Sequence, residues 1–571
     1  MFGKKFSSNI RRKKRMITSS IILLVVFLGI GYSAFSTNLG INGILKVNKY
    51  EEKIYWALQD NDNDSINETL VLSSEKVSGV EQGSFASNII FSDMSQVPWV
   101  ATTSTSSTSN KSYNVTTINV EKEINPTSTA YWFYGVGYNA STFNANLEKL
   151  DTSQVTNMSN MFGDTGYNAT AWNVGDLSSW NTSQVVNFSG MFYYAGSNAT
   201  TWDIGDLSNW DTSQLTKASG MFFMAGRSAT TWNIGDLSNW NTSRLTNTAN
   251  MFFSAGGKDT NFILNLSNWN MSQITDMHSM FMSAGRNATT WNIGDLNNWD
   301  TSQVIDMQYI FDGAGQNATT WNIGDLSGWN TSQVTDMRGM FEYAGYKVTT
   351  WNIGDLSEWD TSEVTNMSSM FCNAGYTATA WNIGDLSNWD TSKVTKMSSM
   401  FRSAGYNASV FDISYVENWN TSQVTDMSSM FDCAGRSATT WNVGDLSNWD
   451  TSKVTNMNYM FSNAGYTATT WNIVDLSGWN TSQVTTMKSM FYNAGYNSTS
   501  FNLNLSGWNT SQVTNMGSMF SYTGNNATNF SITIPQTNGN GINNDTTHMY
   551  GSTSSTYAEP PTSRTFTVAT S

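Results

Sequence analysis

Residues 321–350 read WNIGDLSGWNTSQVTDMRGMFEYAGYKVTT, and residues 351–380 read WNIGDLSEWDTSEVTNMSSMFCNAGYTATA. The Met-Phe pair of this unit recurs at Met161, Met191, Met221, Met251, Met280, Met340, Met370, Met400, Met430, Met460, Met490 and Met519, with Ile310 once in the Met place. The step is thirty residues, except for two steps of twenty-nine. A fixed period of this length marks a solenoid in which each coil packs on its neighbours. The long surface that results favours binding over catalysis.

Within one unit, Val155, Met158, Met161 and Phe162 fall at i, i+3, i+6 and i+7, the spacing of one helix face. Asp151 and Gln154 have capping-box spacing, and Gly166 stands where a helix would end in the left-handed conformation. Trp202-Asp203-Ile204 alternates apolar and polar residues, as a half-buried strand does. Gly205-Asp206 reads as a turn, and Leu207 points back inside. A single unit cannot fold alone. Its apolar anchors contribute ~1.5–3 kcal/mol each when buried, whereas ordering each residue costs ~1–2 kcal/mol. The expectation is an α/β solenoid with leucine-rich-repeat-like coils of about 30 residues, each a short strand, a turn and a helix. Helices spaced more widely than strands would curve it, with the strands on the concave side. Atypical capping units are expected at both ends, where Trp132-Phe133 and Phe143 replace the consensus and Phe530 and Met549-Tyr550 keep its register.

The run DTSQVTDMSSMF, preceded by LSNWD or LSGWN, resembles the BspA-like leucine-rich-repeat surface proteins of bacteria, over roughly residues 118–550. The resemblance implies a right-handed solenoid at the cell surface, and adhesion to host matrix proteins or to other cells for some members. The segment AGYNATTWNIGD makes these coils longer than is common in that family, and Ala stands where a Cys often follows Met-Phe.

Five regions follow. Residues 1–36 carry a basic start (Lys4 to Arg15) and an apolar run (Ile21 to Ile30), the pattern of a signal peptide or an N-terminal membrane anchor. Residues 37–117 read as a small β-rich module with a low-complexity linker, 118–150 as the N-terminal cap, 151–529 as the tandem repeats and 530–571 as the C-terminal cap and tail. The formal charge is −15, and residues 1–36 hold seven basic and no acidic residues, so removing them lowers it to −22. Such a balance argues against nucleic acid and against anionic membrane surfaces, leaving only the N-terminal segment as a membrane contact. Cys372 and Cys433 lie two coils apart, too far for a bridge, so two free thiols are expected.

No nucleophile, base or metal set recurs, so no enzymatic activity is expected. His278 reads as an exposed variant. Asp60-Asn61-Asp62-Asn63-Asp64 resembles the start of a calcium loop, but Ser65 and Val71 stand where Gly and Glu belong, which favours a polar turn. Asp176, Asp206, Asp236, Asp295, Asp325, Asp355, Asp385, Asp445 and Asp475 form a column. It reads as turn acceptors, or as a line of Ca2+ ligands, since stacked like charges need an offset. Two Trp columns, Trp172 to Trp471 and Trp180 to Trp508, read as core rather than as sugar-stacking platforms.

Variation between coils lies elsewhere. It follows Met-Phe, at Tyr193-Tyr194, Phe223-Met224, Glu342-Tyr343, Asp432-Cys433 and Tyr492-Asn493. It also follows the Gly, at Tyr167, Arg227, Arg286, Tyr346, Tyr376, Tyr406, Arg436, Tyr466 and Tyr496. Tyr and Arg are enriched at binding hot spots, so this second column is the candidate binding strip. The functional expectation is an exported bacterial surface protein acting as adhesin or interaction scaffold, with a host protein or other bacterial cells as partner and no cofactor beyond a candidate Ca2+. A passive surface spacer or coat component and a carbohydrate-binding surface protein are the alternatives.

Overall fold

The computed structural model describes residues 52–62, 64, 66–100 and 111–534, together with the backbone of 565–568. The signal or anchor of residues 1–36, most of the low-complexity linker and the Met549-Tyr550 pair lie outside them. The described residues all fall in one compact unit.

Backbone pairing between coils sets the architecture. Three-residue strands stack in parallel and in register, Trp202 opposite Trp232, Trp291 opposite Trp321 and Trp351 opposite Trp381. A second line of pairing, one residue wide, runs from Ser128–Asn157 to Thr486–Asn515. The result is a β-solenoid of about 14 turns.

The expected helix is absent, and with it the α/β, leucine-rich-repeat-like coil. Among the described residues there is no α-helix, only four short 3-10 turns at Met94–Gln96, Leu207–Asn209, Ser414–Asn418 and Leu446–Asn448. From Met158 onward the N–H groups alternate in direction. Met161, Gly163 and Thr165 donate three residues back within the coil, while Met158, Asn160, Phe162 and Asp164 donate to the next coil at 2.6–3.0 Å. Gly166, Asn168 and Thr170 then donate to the preceding coil. Asn160, Asp164 and Gly166 are left-handed, with φ of 54–55°.

Each such turn closes three residues back, at 152–155, at 158–161 and then at every second residue. Val155, Met158 and Met161 therefore share a face without any helix, which is why the spacing misled. Each left-handed non-glycine residue costs ~1–3 kcal/mol. A buried N–H left unpaired costs ~1–3 kcal/mol as well, and the turn chain pairs more of them than it strains. Helix packing was also the expected cause of curvature, and that cause is gone.

Asp151 caps no helix; its Oδ1 accepts the Ser153 N–H at 2.8 Å in a turn. No helix among the described residues is long and apolar enough to cross a membrane.

The core is built of aromatic columns. Phe162 to Phe520 stack coil on coil with centroids 5.3–5.9 Å apart. In the column from Trp180 to Trp508, Trp329 and Trp359 stack at 6.2 Å and 6°. Each indole N–H from Trp210 onward donates to the Leu or Val carbonyl of the coil before it, as Trp329 does to Leu296 at 3.0 Å. In the first column the Trp residues are buried, except for half-buried Trp321 and Trp381.

At the N-terminal end, β1 (Lys53–Gln59), β2 (Thr69–Ser73) and β3 (Glu81–Ala86) form the antiparallel module that the sequence suggests. It joins the coils directly. β2 pairs in parallel with β4 (Thr117–Val120), which leads through β5 (Thr142–Asn146) to β6 (Ala171–Asn173). At the other end Asn529–Ile534 lies between Ser500–Asn504 and Thr565–Val568, all parallel.

Gly375 tests this backbone. Its φ is +54°, and an added Cβ would sit 2.6 Å from Cβ and Cγ of Trp351. Gly375→Ala is expected to destabilise by about 2–4 kcal/mol. Gly517→Ala meets only a side-chain oxygen at 3.4 Å and is expected to stay within about 1 kcal/mol. Urea unfolding of both variants checks this.

Candidate interaction edge

The column after the Gly becomes one continuous stack over six coils. Tyr346 and Tyr376 lie 4.5 Å apart, Tyr376 and Tyr406 4.3 Å, and Tyr466 and Tyr496 4.6 Å, with planes within 14–18°. Arg436 fills the gap between the two groups. Its guanidinium lies 4.3 Å from the Tyr466 centroid and 5.5 Å from that of Tyr406, and Nη1 donates to the Tyr406 hydroxyl at 2.6 Å.

Tyr167 belongs to a separate stack, 4.9 Å from Tyr138 and 5.7 Å from Tyr194. Arg227 and Arg286 are exposed and join neither; Arg286 donates to Gln316 at 2.6 Å. The predicted strip is thus two stacks with two arginines outside them, Arg227 acting on Tyr194 through its charge and Arg286 on Asp312. In each stack the rings cover one another's faces, so edges and hydroxyls are what solvent meets.

The column directly after Phe adds chemistry that the sequence reading left uncommitted. Tyr193, Phe223 and Phe253 stack at 4.8 and 4.5 Å, half-exposed. Further along, the same place holds Asp312, Glu342, Cys372, Arg402 and Asp432 in successive coils. Arg402 Nε lies 3.4 Å from Asp432 Oδ2. Burial first, and then the neighbouring Glu342 charge, push the Asp312 carboxyl up to about 7, against the pull of Arg286. Burial also raises Glu342. Cys372 and Cys433 are free, as expected, and burial raises both thiols, so neither is a thiolate at neutral pH. A list of residue types after Met-Phe shows these groups, but only the coil rise shows that they touch.

The Asp column is exposed and occupied locally. Each carboxylate accepts the N–H two residues on, at 2.8–3.0 Å, as Asp206 does from Ser208. These bonds offset repulsion between coils; where a shift is resolved, at Asp176 and Asp475, the Ser178 and Ser477 hydroxyls first and then these N–H groups lower the carboxyl pKa. Among the described residues, the metal-capable groups that converge within 4.8 Å are Asp276 with His278 and Asp306, and Asp60 with Asp62, Asp64 and Glu68. Neither set includes a member of the column. His278 is half-buried rather than exposed, with Nδ1 2.7 Å from Asp276 Oδ1.

The raised Asp312 fixes a sign. The folded chain holds this proton more tightly than the unfolded chain does, so its contribution to stability falls as pH rises from about 4 to about 7. Asp312→Asn is expected to be more stable than the parent at pH 8, by at most about 4 kcal/mol, with the gain fading towards pH 4. Thermal unfolding across that range reads it directly.

The coil array is also what comparison with known proteins detects. The family described as "Mycoplasma protein of unknown function, DUF285" matches residues 109–227, 197–289, 224–345, 285–404, 315–434, 375–494 and 403–535. No curated protein and no solved structure matches. The overlapping matches run in tandem over the coils, from the cap to the last strand pair, and the chain belongs to this repeat family.

Proposed function

We propose that this chain is an exported bacterial surface protein of the BspA-like kind, an adhesin or protein-interaction scaffold without catalytic activity. One observation carries the reading. The consensus columns are used internally, in ladders and turns, while coil-to-coil variation gathers on one half-exposed edge rich in Tyr and Arg. A conserved interior with a variable edge is the division of labour that repeat proteins use for binding. Stacked rings hold that edge rigid, which lowers the ordering cost of association. The partner class is a host matrix or cell-surface protein, or another bacterial cell.

The self-stacked Tyr faces support a second reading, a passive spacer or coat component whose ladders serve rigidity alone. From Trp202 and Trp210 onward the Trp columns are buried or half-buried in the stack, which counts against the sugar-stacking alternative along the array.

Binding of the purified chain to matrix proteins and to whole cells, at low and high salt, separates the two readings. The combined variant Tyr346→Ala, Tyr376→Ala and Tyr406→Ala is expected to weaken saturable binding at least about ten-fold, with the melting temperature little changed. Absence of saturable binding to every partner would favour the spacer.

A further inference from the structure

The first junction between coils lacks the Trp bond that every later one makes, and a Thr bond that recurs from Thr182 to Thr481. Trp180 opens the second Trp column, yet its indole N–H reaches no carbonyl, whereas each Trp from Trp210 onward donates to the coil before it. The corresponding acceptor would be the Leu147 carbonyl. Thr152 stands at the place of Thr182, whose hydroxyl donates to the Asp211 carbonyl at 3.0 Å, but Thr152 makes no such bond to Asn181. The Leu147 N–H also lacks the bond that Leu177 makes to Ile204 at 2.9 Å, a bond that Leu237, Leu386 and Leu446 lack as well. Between residues 145–152 and 174–181 lies an open cavity of about 440 Å3.

The cause is visible by internal comparison. Two later coils are equally short at this point, Phe262–Trp269 and Phe501–Trp508. They keep their bonds: Leu266 donates to Ile293 at 3.0 Å, and Leu505 to Thr533 at 2.8 Å. Where they carry Leu264 or Leu503 and Trp269 or Trp508, the first coil carries Ala145 and Leu150. The missing volume, not the missing residue, opens the cavity.

The lining sets the ligand chemistry. Glu148, Asp151 and Asp176 face the cavity, and no Lys or Arg lines it. The neighbouring Lys149 reaches the Glu121 carbonyl of the preceding coil instead. Anionic ligands are therefore excluded. The freed groups include the Trp180 and Leu147 N–H donors, the carboxylate acceptors and the Thr152 hydroxyl. An ammonium or guanidinium group only donates and would leave both N–H groups without an acceptor. Neutral hydroxyls both donate and accept. The volume lies towards the lower end of the ~300–1,000 Å3 typical of ligand pockets, and Trp180 supplies an aromatic wall.

We propose that the cavity between the first two coils binds one neutral pyranose sugar, with the Trp180 N–H, the Thr152 hydroxyl and the Glu148 and Asp176 carboxylates contacting its hydroxyls. The site is separate from the Tyr–Arg edge and does not depend on the function proposed for it.

Titration of the full chain with methyl glucoside, methyl galactoside and N-acetylglucosamine, followed by calorimetry and by saturation-transfer NMR, tests the proposal. Saturable binding of at least one sugar is expected. Trp180→Phe, which removes an N–H without a protein partner, is expected to raise Kd about ten-fold, with a modest drop in melting temperature from the smaller ring stacked between Phe162 and Trp210. Ala145→Leu restores the residue of the two other short coils, and is expected to abolish binding while melting holds or rises. The combined edge variant is expected to bind the sugar normally. No saturable binding of any of the three sugars, or binding indifferent to both Trp180→Phe and Ala145→Leu, would overturn the proposal.

Discussion

Everything in this molecule depends on backbone N–H groups that bond out of their own coil. Seven of them in a coil such as 158–170 leave it, four forward and three backward. No coil can satisfy itself, and the entropy of ordering one coil exceeds what its own contacts return. Partners at a fixed offset demand a nearly constant period. A constant period places like residues on top of one another, and from this come the Phe and Trp stacks and the threonine hydroxyls that point to the same carbonyl in each successive coil. The left-handed residues are part of the same constraint, because from Met158 to Thr165 they let alternate N–H groups close a turn within the coil while the others reach the next one. Gly and Asn suit those positions intrinsically, whereas the many Ser and Tyr there, Tyr343 among them, and Met224 are held by the pairing on either side.

Much of this was legible in the sequence. The period, the Trp-centred strand, the inward Leu207, the buried Trp columns and the turn role of Asp176 and its equivalents follow from local pattern, and local pattern is what a sequence displays. The helix was misread because three-residue turns and a helix share the spacing of Val155, Met158 and Met161. Composition carried the correction: TSQVTNMSN is rich in Ser, Thr and Asn, residues that hydrogen-bond locally and favour turns over helices. The edge was half legible. Sequence located Tyr346, Tyr376 and Tyr406 in one column, but that the rings cover each other depends on the rise between coils, which no single unit encodes. Asp312 beside Glu342 was hidden for the same reason.

A perfectly periodic array is chemically quiet, since each side chain in a column is satisfied by its copy in the next coil. Distinct chemistry enters only where the period is broken, and the chain breaks it in two ways. Along the edge, residues change at half-exposed places whose contacts are made pair by pair, so substitutions cost less than in the core and can differ coil by coil. At the first junction, volume is removed from the core, and the Trp and Thr bonds between coils disappear. A loss of that size inside the array would expose two coils at once. It is tolerated here because the first coil is held from its other side by β4, and through it by the antiparallel module of β1, β2 and β3. The cap does more than close the solenoid: by anchoring one side of the junction, it allows the other side to stay open.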